Sequence, residues 1–190
     1  MNKIAIVDID DTLADMRSMI CEALNEHCDK DLHWSKWNTL RVEELYGISY
    51  HDFFDLLKRD SIIERMRPHD ESAEFMRNLK HAGFHVTLLT ARAWHPESRE
   101  VTTRWLGEHG IVYDNLVVCD VEHDKSGIVD CLYNGAEFTV DDSATHCRSY
   151  VKNQNIKNVF VYNMPWNKCD VLDNSRTKRI NNLNEIIELL

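Results

Sequence analysis

Close to its start the chain runs Ile4-Ala5-Ile6-Val7 and then changes at once into Asp8-Ile9-Asp10-Asp11-Thr12-Leu13. Four apolar residues in a row, three of them β-branched, predict a buried strand. Three carboxylates then fall immediately beyond its end, which in an open α/β sheet is where ligands bind. Two carboxylates about 4 Å apart repel by about 4 kcal/mol at an effective dielectric near 20, so such a cluster demands a cation or a proton. Mg²⁺ is the natural occupant, because it takes few carboxylates together with waters and a substrate phosphate. An Asp-x-Asp pair on its own is equally a solvated loop, so its meaning depends on what the other strand ends carry.

Further apolar runs at 84–89, 116–119, 138–140 and 159–162 read as strands, each ending in a polar residue and separated from the next by helical periodicity. That alternation predicts an α/β fold, a Rossmann-like parallel sheet of five strands flanked by helices. Gly83 closes a helix that begins near Asp70, Pro96 opens one that Gly110 follows, and 184–190 reads as a closing helix. Between the first two strands the interval is too long for one crossover. Asp15 can cap a helix carrying Met16, Met19, Ile20, Ala23 and Leu24 at helical spacing, and further helical stretches follow at 42–46 and 50–57. Residues 15–68 are therefore expected to form a small all-helical cap, with 1–14 and 69–190 forming the core.

The 190 residues carry 22 Lys+Arg against 32 Asp+Glu, a net charge of −10. Such a surface repels phosphodiester backbones, which argues against a protein built to grip long nucleic acid. No apolar stretch approaches the roughly 18–20 residues of a membrane span. With no apolar leader after Met1-Asn2-Lys3, and with Cys21, Cys28, Cys119, Cys131, Cys147 and Cys169 forming no C-x-x-C pair, the expectation is a cytoplasmic protein with free thiols.

Three other strand ends bear on the aspartates. Val86 to Leu89 leads into Thr90-Ala91-Arg92, a hydroxyl followed by a turn whose backbone N–H groups can hold a phosphate oxygen. Asp124-Lys125-Ser126 opens a short helix, with Lys125 placed as a point charge for phosphate. Phe138-Thr139-Val140 ends in a second acidic pair, Asp141-Asp142, before Ser143. Each has a plainer reading alone: a strand-end Thr, a surface Lys, a helix cap.

In the order Asp-x-Asp-x-Thr, Thr, Lys, Asp-Asp, the four resemble the haloacid dehalogenase superfamily of aspartate-nucleophile phosphatases. That resemblance implies that Asp8 attacks phosphorus to form an aspartyl-phosphate and that Asp10 protonates the leaving oxygen and then activates water. It also implies Mg²⁺ held by Asp8, Asp10 and Asp141 with Asp142 in support, and phosphoryl binding by Thr90, Ala91 and Lys125. More narrowly, Thr90-Ala91-Arg92, Arg99, Thr102, Trp105-Leu106 and His109-Gly110-Ile111 are similar to the bacterial and phage relatives of the 5′(3′)-deoxyribonucleotidases. The segment from Tyr162 to Asn167 resembles that family's F-D-x-P-Y-N, and the stretch beginning at Arg179 resembles its ending. The implied substrate is a small phosphorylated molecule, a (deoxy)nucleoside monophosphate, whose base could stack on cap aromatics. Phe53, Phe54 and Arg92 are the candidates for substrate contact, and since adjacent helical residues diverge, one of the two phenylalanines is expected to face the site.

Two other readings are open. Arg99-x-x-Thr102-x-x-Trp105-Leu106 also resembles the phosphatase half of polynucleotide kinases, which act on 3′ ends. A phospho-accepting receiver module also combines Asp, Thr, Lys and an acidic pair, but places the acidic pair first and the phosphorylated Asp mid-chain, the reverse of the order here.

Overall fold

The computed structural model describes residues 3–168 and 174–190; the expectation for Cys169 lies outside the described residues. In chain order the first part comprises β1 (Lys3–Val7), β2 (Ala14–Asp15), α1 (Met16–Cys28), α2 (Val42–Tyr46), α3 (Tyr50–Arg59), α4 (Ile62–Arg65) and β3 (Arg67–Pro68). Then come α5 (Ser72–His81), β4 (Phe84–Thr90), α6 (Ser98–Glu108), β5 (Asn115–Val118), α7 (Lys125–Tyr133), β6 (Ala136–Asp141), α8 (Ala144–Lys152), β7 (Ile156–Tyr162), β8 (Thr177–Ile180) and α9 (Asn184–Leu189).

The main sheet runs β5-β4-β1-β6-β7-β8 and is parallel throughout. It has six strands, not the expected five. The missing one is β8, whose Thr-Lys-Arg-Ile sequence buries only Ile180 fully; as an edge strand it carries charge where a central strand carries apolar residues. β1 sits at the point where the strand order reverses, with Val7 level with both Leu88 of β4 and Val140 of β6. That register delivers Asp8, Thr90 and Asp141 to one edge of the sheet, the switch point where α/β folds bind ligands.

Both faces of the sheet are covered. Ala5 and Val7 join one apolar cluster with Val86, Leu88, Phe138 and Val140, while Ile6 joins Val159, Val161 and Tyr150 on the opposite side, the period-two alternation of a strand. Residues 16–65 contain four α-helices, a short 3-10 helix (Trp34–Lys36) and no strand, bracketed by the antiparallel pair β2–β3, in which Ala14 meets Pro68 and Asp15 meets Arg67.

Local chemistry explains the helix boundaries. Asp15 accepts from the Ser18 N–H at 3.0 Å to start α1, Ser49 accepts from the Asp52 N–H at 3.1 Å to start α3, and Gly47, at φ 75°, ends α2. α3 buries Phe53, Leu56 and Leu57 on one face. Each such side chain contributes about 1.5–3 kcal/mol, and Leu56→Ala would cost about 2–5 kcal/mol. These helices do not close around a core of their own, because Ile20, Leu24, Trp37 and Leu56 belong to the same cluster as the sheet's Val7 and Leu88.

Among the described residues no helix is long and apolar enough to cross a membrane. Cys21, Cys28, Cys119, Cys131 and Cys147 are free thiols.

Candidate active site

Lys125 organises the floor of the site. It is the first residue of α7, placed there by Asp124, whose carboxylate accepts from the Ser126 N–H at 3.1 Å. Its Nζ, almost wholly buried, donates to Asp8 Oδ1 at 2.7 Å and to Asp141 Oδ2 at 2.8 Å. Burial disfavours the ammonium, but the two carboxylates outweigh that and hold the Lys125 pKa well above its usual value.

The aspartates divide by environment. Burial pushes Asp8 up to about 7 against the pull of Lys125. Asp141 is as buried, yet Lys125 and His146 together hold its carboxyl below the usual range. For Asp142, burial and the neighbouring charges of Asp11, Asp141 and Asp8 all push the carboxyl well up.

Asp8, Asp141 and Asp142 each place a ligand atom within 4.8 Å of the others. Around them Asp10 and Asp11 add two further carboxylates, and Lys125, Arg92 and Arg17 are paired with members of this group. A hard divalent cation with oxygen ligands fits this donor set. Asp141 has both oxygens engaged, Oδ2 by Lys125 and Oδ1 by the Ser143 N–H at 2.8 Å. Asp142 accepts from Trp166 on Oδ2 and Asp8 from Lys125 on Oδ1, which leaves Asp142 Oδ1 and Asp8 Oδ2 without a hydrogen bond among the described residues.

Asp10 faces the cavity but is held from behind. Arg92 Nε donates to its two oxygens at 3.1 and 2.9 Å, Nη2 adds a further contact, and Thr90 Oγ1 donates to Oδ2 at 3.2 Å. Arg92 is completely buried, and its Nη1 donates to Thr102 at 2.9 Å, on α6. The Arg92 side chain, expected to contact substrate, is not among the cavity-lining residues and bonds Asp10 and Thr102. Thr90 is fully buried too and its hydroxyl is turned to Asp10, whereas Ala91 does line the cavity.

A second ion pair escaped the sequence reading. Asp11, at φ 57°, accepts from the Arg17 backbone N–H at 2.8 Å and from Arg17 Nη2 at 2.6 Å. The Arg17 guanidinium then lies 4.2 Å from the Trp166 ring centroid and 5.4 Å from that of Trp37. The available signal was an aspartate at a turn position six residues before an arginine on the first turn of a helix; sequence spacing alone does not pair them.

Above the floor lies a cavity of about 650 Å³, roofed by Met16, Ile20, Phe53, Phe54, Leu57 and Trp94. That volume is in the range of small-molecule sites. Both phenylalanines line it, where one was expected. Their rings are 5.2 Å apart, and Phe54 meets Trp94 at 5.0 Å, so an aromatic contact joins α3 to the loop after β4.

The family model described as 5′ nucleotidase, deoxy (Pyrimidine), cytosolic type C protein matches residues 2–189. The chain belongs to that family. It is accordingly a haloacid dehalogenase-type phosphatase, a phosphoric monoester hydrolase of the nucleotidase kind. Solved structures share its fold over the whole chain. A predicted phosphatase from Clostridium acetobutylicum aligns with a TM-score of 0.69 at 13% identity, covering 100% of this chain and 98% of its own. A HAD-superfamily hydrolase, subfamily IA, variant 1, from Geobacter sulfurreducens gives 0.61 at 15%, covering 100% and 96%. A dehalogenase gives 0.63 at 16%, covering 100% and 97%. No curated protein sequence matches the chain.

Proposed function

We propose that this phosphatase is Mg²⁺-dependent, works in the cytoplasm, and removes phosphate from a (deoxy)nucleoside monophosphate through an aspartyl-phosphate on Asp8. In this reading residues 15–68 act as the cap and the remainder as the catalytic core. The observation that carries it is the buried Asp8–Lys125–Asp141 array at the bottom of a single aromatic-roofed cavity. A bound divalent cation would be held by the Asp8 and Asp142 carboxylates with Asp141 beside them, and would neutralise charge on the phosphoryl oxygens.

The chain's own residues do the rest. Lys125 fixes Asp8 through Oδ1, which leaves Oδ2 to attack phosphorus as the bond to the ester oxygen breaks. The Lys125 ammonium lies next to that oxygen and can take up charge developing on the phosphoryl group. Asp10 gives the leaving oxygen its proton and, now a carboxylate, takes one from the water that releases phosphate from Asp8. Phe53, Phe54 and Trp94 cover the leaving group, and base-on-aromatic stacking contributes about 1–3 kcal/mol.

A panel of nucleoside monophosphates and 3′-phosphorylated oligonucleotides, assayed with Mg²⁺, tests the reading. Turnover of the monophosphates, abolished by EDTA and restored by Mg²⁺, is expected. Turnover of the oligonucleotides alone would overturn it, and a stable phosphoprotein without turnover would point to a signalling module.

A further inference from the structure

The turn after β7 and Arg179 of β8 have no place in the reaction chemistry, yet they are tied to Asp142. Trp166 Nε1 donates to Asp142 Oδ2 at 2.8 Å in a buried contact. The next residue, Asn167, is fully buried and donates its Nδ2 to the Asp142 carbonyl at 2.7 Å and to the Tyr162 carbonyl at 2.8 Å, joining the ends of β6 and β7. Its Oδ1 accepts from the Met164 N–H at 3.1 Å and from Arg179 Nη1 at 2.8 Å, and Arg179 Nη2 donates to the Asn167 carbonyl at 2.7 Å. The strand that the sequence reading missed thus buttresses the turn. The Arg17 guanidinium lies over the indole ring and is itself anchored on Asp11.

One turn therefore holds both the side chain and the backbone of Asp142. Groups that orient a metal-ligating carboxylate contribute to metal affinity without touching the metal. We propose that Trp166 is a positioning residue for the metal site: its indole N–H occupies one oxygen of Asp142 and presents the other to the cation, while Asn167 and Arg179 fix the turn that carries it. This rests on the reading of Asp8, Asp141 and Asp142 as a divalent-cation site.

The test is Mg²⁺ affinity by titration calorimetry, with no substrate present. Trp166→Phe keeps a ring and removes the N–H, and is expected to weaken Mg²⁺ binding about 10- to 100-fold. Trp37→Phe removes the N–H of the other ring beside Arg17, which donates to no carboxylate, and is expected to leave the affinity unchanged. A Trp166→Phe protein with a lower melting temperature but wild-type Mg²⁺ affinity would overturn the proposal, because that is the pattern of a purely structural residue. A second readout needs no folded variant at position 166. In the wild-type protein, with the indole resonances of the other four tryptophans assigned by substitution, the Trp166 N–H resonance is expected to shift along the Mg²⁺ isotherm; a resonance that stays still would also overturn the proposal. Failure of the wild-type protein itself to bind Mg²⁺ would instead sink the metal reading beneath it.

Discussion

The floor and the roof of the cavity hold their side chains by different means. On the floor each cation is locked to a carboxylate: Lys125 between Asp8 and Asp141, Arg92 on Asp10, Arg17 on Asp11. Across the roof, Tyr50, Phe53, Phe54 and Trp94 meet ring to ring, at 4.7–5.2 Å between centroids, with no charge among them. A floor substitution strands a buried charge, whereas a roof substitution removes contact area. The floor should thus govern whether reaction occurs, and the roof which leaving group is accepted.

The sharpest break of that contrast is Asp8→Asn, which keeps shape and leaves Lys125 its bond to Asp141. We expect kcat to fall by on the order of 10⁴-fold or more with the fold intact by circular dichroism. Wild-type-like activity would refute nucleophilic catalysis at this position. Next is Arg92→Met, which takes from Asp10 its main anchor and should lower kcat by about 10²–10³-fold, part of the gain that general acid–base catalysis supplies, while KM changes little. A rise in KM alone would return Arg92 to the substrate-contact role. On the roof, Phe54→Ala should reverse the pattern, raising KM by about 5- to 150-fold, the equivalent of 1–3 kcal/mol of stacking, with kcat nearly unchanged. A separate effect concerns stability of the metal-free protein. Asp8 titrates at 3.8 in the unfolded chain but at about 7 in the fold, where burial favours the neutral carboxyl. Between those values the folded state binds the extra proton, so stability falls as pH rises from about 4 to about 7. Melting curves should show this slope, and Asp8→Asn should make it shallower without removing it, because burial raises Asp11 and Asp142 in the same direction.

Legibility in the sequence follows the same division. Asp8, Thr90 and Asp141 could be read because each ends an apolar run, and a parallel sheet brings such ends to one edge. Lys125 could be read because a helix start follows its strand. The partner of Arg92 could not, since Asp10 and Arg92 meet only through the register of β1 against β4. Nor could the Asp11–Arg17–Trp166 stack, whose members come from three separate elements. β8 was hidden by its single fully buried residue, and periodicity does not specify that Phe53 and Phe54 both border the cavity.

The central claim is that phosphate passes through a covalent bond to Asp8. The most direct measurement is rapid acid quench of the protein during turnover of a nucleoside monophosphate, followed by peptide mass spectrometry. The account predicts a phosphorylated peptide carrying Asp8, present in the wild-type protein and absent from Asp8→Asn. Phosphate found on another residue, or steady turnover by Asp8→Asn, would contradict it.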